Sequence, residues 1–332
     1  MRIGLALPHY DFSIPGESAS FARAAEFAKR AEGLGFDSVW VSDHFFYSLA
    51  RFGAGGTLQG SLEPLSTLAG LAALTERVRL GPLVLGAPFR HPAVVAKAAG
   101  TIQQLSRGRF DLAVGAGWYQ EEFDAFGYDY SSVGGRFAML EEYVEVLVLL
   151  LREGPVSFEG KFFALHEAYN HPLPDPRPPL WLGGKGGDRL LRLAARHADG
   201  WNTVWRWTVE GYAALVRRAR EICEGSGRDP ATLGLSVGLY TIVGEDEGDL
   251  ARRYRAMQEW MPGRALDAES LEDFSRDTLT GTPPRVLERL RAYSELGVEE
   301  VIVSPAPLPF AVPDPQMLDV LAEAVIPAAH AL

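Results

Sequence analysis

Short apolar segments alternate along this chain with longer segments that have the apolar spacing of amphipathic helices. The strand candidates are residues 2–7, 38–41, 78–85, 110–114, 180–182, 200–203, 233–243 and 299–303, and the clearest helical patterns are 92–105, 139–152, 188–197 and 283–296. Strands that are separated by helices pair in parallel through right-handed crossovers. Eight such units predict the α/β class and favour a closed (β/α)₈ TIM barrel.

The main alternative is an open, doubly wound sheet, which usually carries a glycine fingerprint. Gly115 and Gly117 begin such a pattern, but Gln120 occupies the position of the third glycine. Two segments between strand candidates are long, about 118–179 and 244–298, and we interpret them as insertions after strands four and seven. The sequence therefore predicts a single barrel domain over residues 1–332, with two insertions beside the site.

The charge and the cysteine content exclude several classes of function. With 32 basic and 43 acidic side chains, the chain has a formal charge of −11, which disfavours sequence-independent nucleic-acid binding. The one cysteine, Cys223, excludes an intrachain disulfide framework and a multi-thiolate zinc site. The longest strongly apolar stretch, 146–151, is too short to cross a bilayer. We therefore expect a cytoplasmic protein without a nucleic-acid partner, a membrane span or a dedicated metal site.

Titratable residues follow the second strand candidate, and strand carboxyl ends are where barrel enzymes place catalytic groups. The sharpest pair is Asp43 and His44. A carboxylate can fix the tautomer of an imidazole or raise its pKa, and histidine is a natural acid or base near neutral pH. We interpret His44 as catalytic and Asp43 as the residue that orients it. The alternative is a histidine that is hydrogen-bonded for structure alone.

Further side chains near the predicted strand ends are candidates for a substrate pocket. They are His9, Glu121, Trp201 and Trp205. The tryptophans would contribute an apolar slot for a flat heteroaromatic ring, although an aromatic residue taken alone is more often part of a core.

Residues 183–187 are rich in glycine and directly precede the helical pattern 188–197. Glycine allows a ligand to approach the backbone, and a helix N-terminus offers free N–H groups and positive potential. Lys185 and Arg189 add positive charge nearby. The predicted phosphate-binding residues are Gly183, Gly184, Lys185 and Gly186. The alternative is a simple glycine-rich turn into a helix.

Several stretches, taken in order along the chain, form a recognisable set. They are residues 35–44, 90–97, 106–110, 115–119, 121–122, 136–137, 140–142, 158–162, 183–184, 198–202 and 281–283. Together they resemble the bacterial luciferase-like family of flavin- and deazaflavin-dependent oxidoreductases, over nearly the whole chain. The variant Gly117-Trp118-Tyr119 is most similar to the subgroup that uses coenzyme F420, a deazaflavin.

The resemblance implies a TIM-like barrel that holds the cofactor ring at the carboxyl ends of its strands. Besides the phosphate site, the implied cofactor-binding residues are Gly86, Ala87, Gly117 and Trp118. A non-proline cis peptide bond is implied at Leu85–Gly86 or Gly86–Ala87, behind the ring. His44 matches the family's catalytic or substrate-contacting histidine. Trp118 stands where the deazaflavin-dependent sugar-phosphate dehydrogenases have a glutamate, which argues against their reaction here.

We therefore predict an oxidoreductase that transfers a hydride between F420 and a small organic substrate. One alternative is an FMN-dependent monooxygenase that uses reduced flavin and oxygen, and a second is a flavin-binding barrel without turnover. The prediction is compatible with a homodimer and with a separate reductase that regenerates the reduced cofactor. Residues 263–280 are rich in charge and poor in apolar periodicity, so we expect a mobile cover over the barrel mouth; the alternative is a solvated surface loop.

Overall fold

A computed structural model describes residues 1–152 and 154–332 of the chain. The strands are β1 (Arg2–Ala6), β2 (Ser38–Val41), β3 (Phe46–Ser48), β4 (Leu58–Gly60), β5 (Arg79–Pro82), β6 (Leu85–Gly86), β7 (Leu112–Gly115), β8 (Val156–Glu159), β9 (Ala164–Ala168), β10 (Leu180–Gly183), β11 (Gly200–Trp205), β12 (Gly234–Val243), β13 (Leu279–Gly281) and β14 (Val298–Ser304). The helices are α1 (Phe21–Gly33), α2 (Pro64–Leu74), α3 (Pro92–Leu105), α4 (Gln120–Phe126), α5 (Val133–Arg152), α6 (Asp188–His197), α7 (Val209–Gly225), α8 (Glu247–Trp260), α9 (Leu271–Arg276), α10 (Pro283–Glu295), α11 (Met317–Ala324) and α12 (Ile326–Ala329).

One sheet of parallel strands forms the centre of the fold. Its strands are hydrogen-bonded in the order β5-β2-β1-β14-β12-β11-β10-β7-β6, and β13 pairs with β12. A parallel bridge between Leu80 and Phe110 also joins β5 to the segment that enters β7, so the two ends of the sheet meet. The sheet therefore curls into a nearly closed barrel, which confirms the predicted fold class.

The predicted strand 78–85 is divided between two neighbours. β5 pairs with β2, whereas β6 pairs with β7. The chain changes partner at Leu83 and Val84, the two residues between β5 and β6. These two strands with the residues that join them form the seam at which the barrel closes.

The barrel strands are buried on both faces, and the helices around them are buried on one. Every residue of β2 and β7 is buried, as expected for strands that lie between a packed interior and a helical layer. The buried residues of α6 are Leu190, Leu191, Leu193, Ala194 and Ala195, and charged side chains occupy much of its other face. The predicted helices 92–105 and 188–197 coincide with α3 and α6.

Two long connections follow β7 and β12. The first carries α4, α5 and the antiparallel hairpin β8–β9, and the second carries α8, α9, β13 and α10. Another antiparallel hairpin, β3–β4, follows β2, and its strands of three residues each are too short to show a pattern in the sequence. That the chain is one domain, with insertions about 118–179 and 244–298, stays a prediction.

Three findings bear on the excluded classes. No helix within residues 1–152 and 154–332 combines the length and the apolar character needed to cross a membrane. In the same residues, no group of three or more His, Cys, Asp or Glu side chains is arranged to hold a metal ion. Cys223 is a free, buried thiol in α7.

Candidate active site

The central pair of the site is His44, just beyond β2, and Glu122 in α4. The Nδ1 atom of His44 lies 2.8 Å from Oε2 of Glu122, whose carboxylate is fully buried. The other carboxylate oxygen accepts hydrogen bonds from the backbone amides of Phe45 and Phe46. A carboxylate in this position keeps the proton of the imidazole on Nδ1 and leaves Nε2 for a ligand.

The prediction that Asp43 orients His44 is wrong. Successive side chains of an extended chain point in opposite directions, and Asp43 points away from the imidazole. Its carboxylate binds the guanidinium of Arg90 at 2.6 and 2.9 Å and accepts the amide of Gly86 at 2.8 Å. Asp43 therefore joins the end of β2 to β6, and its role is to hold the seam.

His9 lies below the rim instead of in a substrate pocket, contrary to expectation. It is 1% exposed. Its Nδ1 atom lies 2.8 Å from the carbonyl oxygen of Leu7, and its Nε2 atom accepts the amide of Ser42 at 3.2 Å. Burial lowers the pKa of His9 to about 4, and the positive field of His44 contributes in the same direction. His9 is therefore neutral near pH 7 and fixes the backbone beneath His44.

Three aromatic rings enclose the imidazole of His44. The centroids of Tyr47, Trp118 and Tyr119 each lie 5.7 Å from it, and all three rings are near perpendicular to it. Trp118 is 49% exposed, so it forms the outer edge of this wall. The enclosure limits the access of water to the imidazole.

Tyr119 is held by two hydrogen bonds. Its hydroxyl oxygen accepts the amide of Ser48 at 3.0 Å, and the hydroxyl donates to Glu121 at 2.8 Å. Burial and this carboxylate raise the pKa of Tyr119 to about 12, so the phenol stays protonated. The predicted pocket residue Glu121 is exposed and reaches the wall through this hydroxyl.

The two tryptophans predicted for the substrate pocket lie in different places. Trp205 stacks on Tyr240 with centroids 5.4 Å apart and meets Phe310 edge-on at 5.3 Å, at the end of β11. Trp201 is fully buried and stacks on Tyr212 of α7, which excludes it from a substrate pocket. The ring of Trp201 lies in the helical layer, against Tyr212 and the turn before α6, and this is the physical reason for the correction.

The glycine-rich segment between β10 and α6 forms an open backbone turn. A Cβ atom at Gly184 would lie 2.8 Å from Leu190, and one at Gly186, where φ is +78°, would lie 2.8 Å from Trp201. The indole N–H of Trp201 donates to the carbonyl of Gly184 at 3.1 Å and so supports the turn from behind. Gly187 begins α6 without a side-chain cap, so the first-turn amides of the helix are open to an anion.

The two cations predicted beside this turn differ. The ammonium of Lys185 donates to the carbonyl of Val204 and lies 5.3 Å from the centre of the Trp207 ring. Partial burial lowers the pKa of Lys185. Arg189 points away, because its guanidinium binds the carboxylate of Glu141 at 2.6 and 2.8 Å.

The residues expected behind a cofactor ring lie along the seam. Gly86 and Ala87 are buried. Two non-proline cis peptide bonds occur in the described residues, at Leu83–Val84 and at Val204–Trp205. The first lies in this segment, so the expected positions, Leu85–Gly86 and Gly86–Ala87, are wrong. The Leu83–Val84 bond falls where the chain changes its pairing partner, two residues before the expected Leu85–Gly86 bond.

Val84 and Arg136 are neighbours of the site that the sequence did not indicate. A Cβ atom at Gly183 would lie 2.6 Å from the side chain of Val84, which therefore fills the space at the strand ends. Gly117, at φ +73°, presents its carbonyl to the guanidinium of Arg136 at 3.2 Å. Residues 136–137 form one of the family stretches, and that match was the only signal for Arg136 in the sequence.

Comparison with known proteins assigns this rim to a family. Residues 1–300 match the family model described as luciferase-like monooxygenase. The chain belongs to the luciferase-like monooxygenase family. Among relatives in sequence, the F420-dependent glucose-6-phosphate dehydrogenase of Kineococcus radiotolerans is 31% identical over 292 residues, which are 87% of this chain and 80% of that protein. The phthiodiolone/phenolphthiodiolone dimycocerosates ketoreductase of Mycobacterium tuberculosis is 31% identical over 253 residues, 71% of this chain and 65% of that protein.

Solved structures share the fold of this luciferase-like chain. An F420-dependent secondary alcohol dehydrogenase in complex with an F420-acetone adduct has a TM-score of 0.78 and 23% identity, and the match covers 99% of this chain and 98% of that one. The monooxygenase RslO1 from Streptomyces bottropensis has a TM-score of 0.77 and 24% identity over the full length of both chains. At these identities the two structures support the barrel architecture.

Proposed function

We propose that this luciferase-like protein is an oxidoreductase that transfers a hydride between F420 and a small organic substrate. The observation that carries the proposal is the His44–Glu122 pair at 2.8 Å, on the same barrel rim as the uncapped glycine turn before α6. A proton-transfer group and an anion-binding turn are the two parts that such a reaction requires of the protein. The names of the sequence relatives support F420 as the cofactor.

The residues present fit such a cofactor. The backbone amides around Gly186 and Gly187, with the N-terminus of α6, would hold its phosphate, and Lys185 would add positive charge. Val84, Gly86 and the neighbouring seam residues would face its ring system. When bound, F420 supplies the carbon that accepts or donates the hydride.

The protein's own residues supply proton transfer and orientation. Nδ1 of His44 donates to Glu122, which leaves Nε2 to take a proton from a substrate hydroxyl or to return one to a carbonyl oxygen. The buried carboxylate of Glu122 stabilises the imidazolium that forms. Tyr47, Trp118 and Tyr119 restrict water around the transferred proton.

The second candidate function is an FMN-dependent monooxygenase, which the likeness in fold to RslO1 keeps in view. A flavin-binding barrel without turnover is the third. The barrel and the anion-binding turn are compatible with all three functions. Only the identity and the reaction of the bound cofactor can distinguish them.

Titration of the protein with F420 and with FMN, followed by visible absorbance, tests the proposal. We expect F420 to bind more tightly than FMN, and the bound F420 to exchange a hydride with a substrate from a panel of alcohols and carbonyl compounds. The reduced complex should react slowly with oxygen. Tight FMN binding with rapid oxygen uptake coupled to substrate oxygenation would establish the monooxygenase instead. Binding without turnover across the panel would favour the non-catalytic barrel.

We also propose that the protein acts in the cytoplasm, where its buried free thiol Cys223 stays reduced. A homodimer is supported by an apolar groove between α2 and α3, with Val94 60% exposed at its edge. A separate enzyme would restore the oxidation state of the released cofactor. Analytical ultracentrifugation would test the homodimer. A coupled assay with a reductase would test the separate enzyme.

A further inference from the structure

Arg51 places a positive charge at the rim of the candidate active site. It lies in the short turn Leu49–Phe52 that follows β3. Its guanidinium lies 4.5 Å from the centre of the Trp118 ring and 5.7 Å from that of Tyr119. Because both rings also pack against His44, the cation lies one aromatic ring away from the imidazole.

Arg51 differs in its environment from the other arginines named near the mouth. Arg136 is buried and donates to the carbonyls of Gly117 and Ser131. Arg90, Arg189 and Arg206 each bind carboxylates within 2.9 Å. Among the ion pairs of residues 1–152 and 154–332, none includes Arg51. In a chain with a net charge of −11, a cation held on aromatic rings at the active-site rim is available to an anion from outside.

Two carboxylates at the aromatic wall already have partners. Glu121 accepts the hydroxyl of Tyr119, and Glu122 binds His44. Burial raises the pKa of Tyr47 and of Tyr240, and the charge of Arg51 acts in the opposite direction on both. The charge of the exposed Arg51 therefore acts on groups of the mouth as well as on the two rings that it overlies.

The platform under Arg51 is fixed on two sides. The hydroxyl of Tyr119 accepts the amide of Ser48, which ties the chain just before the turn to the aromatic wall. Gly53, at φ +78°, ends the turn, and a Cβ there would lie 3.7 Å from the backbone of Gly263. A guanidinium stacked on a ring keeps its N–H edge free, and that edge fits a carboxylate or a phosphate with two parallel hydrogen bonds.

We propose that Arg51 determines substrate specificity by binding an anionic group, a carboxylate or a phosphate, on the substrate whose hydroxyl or carbonyl faces His44. This inference rests on the proposed hydride transfer for the identity of the reacting group. It adds the substrate class: small alcohols or carbonyl compounds that carry a negative charge at their other end.

Direct anion binding tests the proposal without catalysis. Inorganic phosphate is titrated into protein that carries Gly184→Val, which blocks the glycine turn before α6, while tryptophan fluorescence is followed, because Trp118 lies directly under Arg51. We expect saturable binding that Arg51→Gln weakens about 10- to 100-fold and that Arg51→Lys retains in part. The matched control is Lys161→Gln, which removes a cation from the ring of Phe162, 5.2 Å away, next to the distant hairpin β8–β9.

Steady-state kinetics with F420 identifies the source of the anion. Lactate is compared with 2-propanol, and glucose 6-phosphate with glucose, so that each pair differs mainly in the charged group. We expect Arg51→Gln to raise KM for the anionic substrate of each pair about 10- to 100-fold. The value of kcat, and KM for the neutral substrate, should change little. Preference for lactate over glucose 6-phosphate would assign a carboxylate, and the reverse would assign a phosphate.

The possible failures are distinguishable. Absence of phosphate binding by the Gly184→Val protein, or equal binding when Arg51→Gln is added to it, would overturn the proposal even if F420 turnover is robust. A loss of F420 affinity in Arg51→Gln with unchanged substrate KM would assign the anion to the cofactor and would also overturn it. If neither F420 nor FMN binds at all, the proposed function fails, and the phosphate titration still decides the role of Arg51.

Discussion

The imidazole of His44 and the buried carboxylate of Glu122 face each other across 2.8 Å, although 78 positions separate them in the chain. Glu122 can hold His44 in place because its second oxygen is fixed by the amides of Phe45 and Phe46. The same carboxylate therefore positions both the imidazole and the backbone that follows it. This arrangement fixes the tautomer and the orientation of His44 through a side chain that lies outside its own strand.

Replacement of Glu122 by Gln should slow hydride transfer about 10²-fold or more, because an amide that donates to Nδ1 would force the proton onto Nε2. Single-turnover kinetics would measure the rate, and ¹⁵N NMR of the imidazole would report the tautomer. Glu121→Gln is the matched control in the same helix, since Glu121 contacts only the hydroxyl of Tyr119 in this wall. His44→Ala should slow transfer about 10²–10⁴-fold with F420 affinity within a few-fold. Equal rates for the parent and Glu122→Gln would contradict this role.

Gly184→Val should abolish most cofactor binding, whereas Lys185→Ala should weaken it and reduce its salt dependence. A Cβ at Gly184 would lie 2.8 Å from Leu190, so a branched side chain would displace the turn before α6. Lys185 supplies a charge that solvent can replace in part. Titration with F420 at two salt concentrations measures both effects, and circular dichroism confirms the fold. Unchanged affinity in Gly184→Val would place the phosphate elsewhere.

His9 should make the protein less stable in acid. Burial lowers its pKa from 6.5 to about 4, so between these values the unfolded chain binds a proton that the folded protein does not. Above about pH 6.5 the protonation of His9 takes nothing from the free energy of unfolding. As the pH decreases, this group lowers the free energy of unfolding, by roughly 3 kcal/mol at about pH 4. Urea unfolding of the parent and of His9→Gln at several pH values measures the difference. The control is His166→Gln, at an exposed histidine of β9. This variant should show the same dependence of the free energy of unfolding on pH as the parent.

The predicted cover, residues 263–280, should gain protection from amide exchange in its first part when cofactor binds. Phe274 is fully buried and anchors α9, so residues 271–276 should exchange at the same rate in both states. The turn Pro262–Arg264 has no buried residue and lies against the backbone near Gly53, so we expect it to respond to the cofactor. Hydrogen exchange with mass spectrometry, with and without F420, makes the comparison. Equal protection of residues 262–270 in both states would identify a plain surface loop.

The parallel barrel could be predicted because strands that are buried on both faces require continuous apolar segments. The prediction for 38–41 coincides with β2 for that reason. The division of 78–85 into β5 and β6 could not be predicted, since the local pattern does not contain the identity of a strand's neighbour. Apolar composition shows that a strand is buried, but hydrogen-bond pairing depends on the closure of the whole sheet.

The sequence predicted which residues lie at the rim better than it predicted which side chains contact one another. His44 and the glycine turn lie at the rim as expected, whereas Asp43 was chosen as the partner of His44 for its adjacency in the chain. An extended backbone separates adjacent side chains, so the true partner had to come from another element. Trp201 was assigned from its residue type, which does not indicate the face of β11 that a side chain occupies.

Two adjacent residues at the seam of the barrel, Asp43 and His44, have different roles. Asp43 holds β6 through Gly86 and binds Arg90, which also binds Glu63 at the start of α2 at 2.8 Å. His44, the next residue, takes no part in this clamp. Evolution can therefore exchange the reactive residue, or the ring of Trp118 beside it, without loosening the closure of the sheet. New chemistry at this rim costs little folding stability, whereas a change one position earlier would open the barrel.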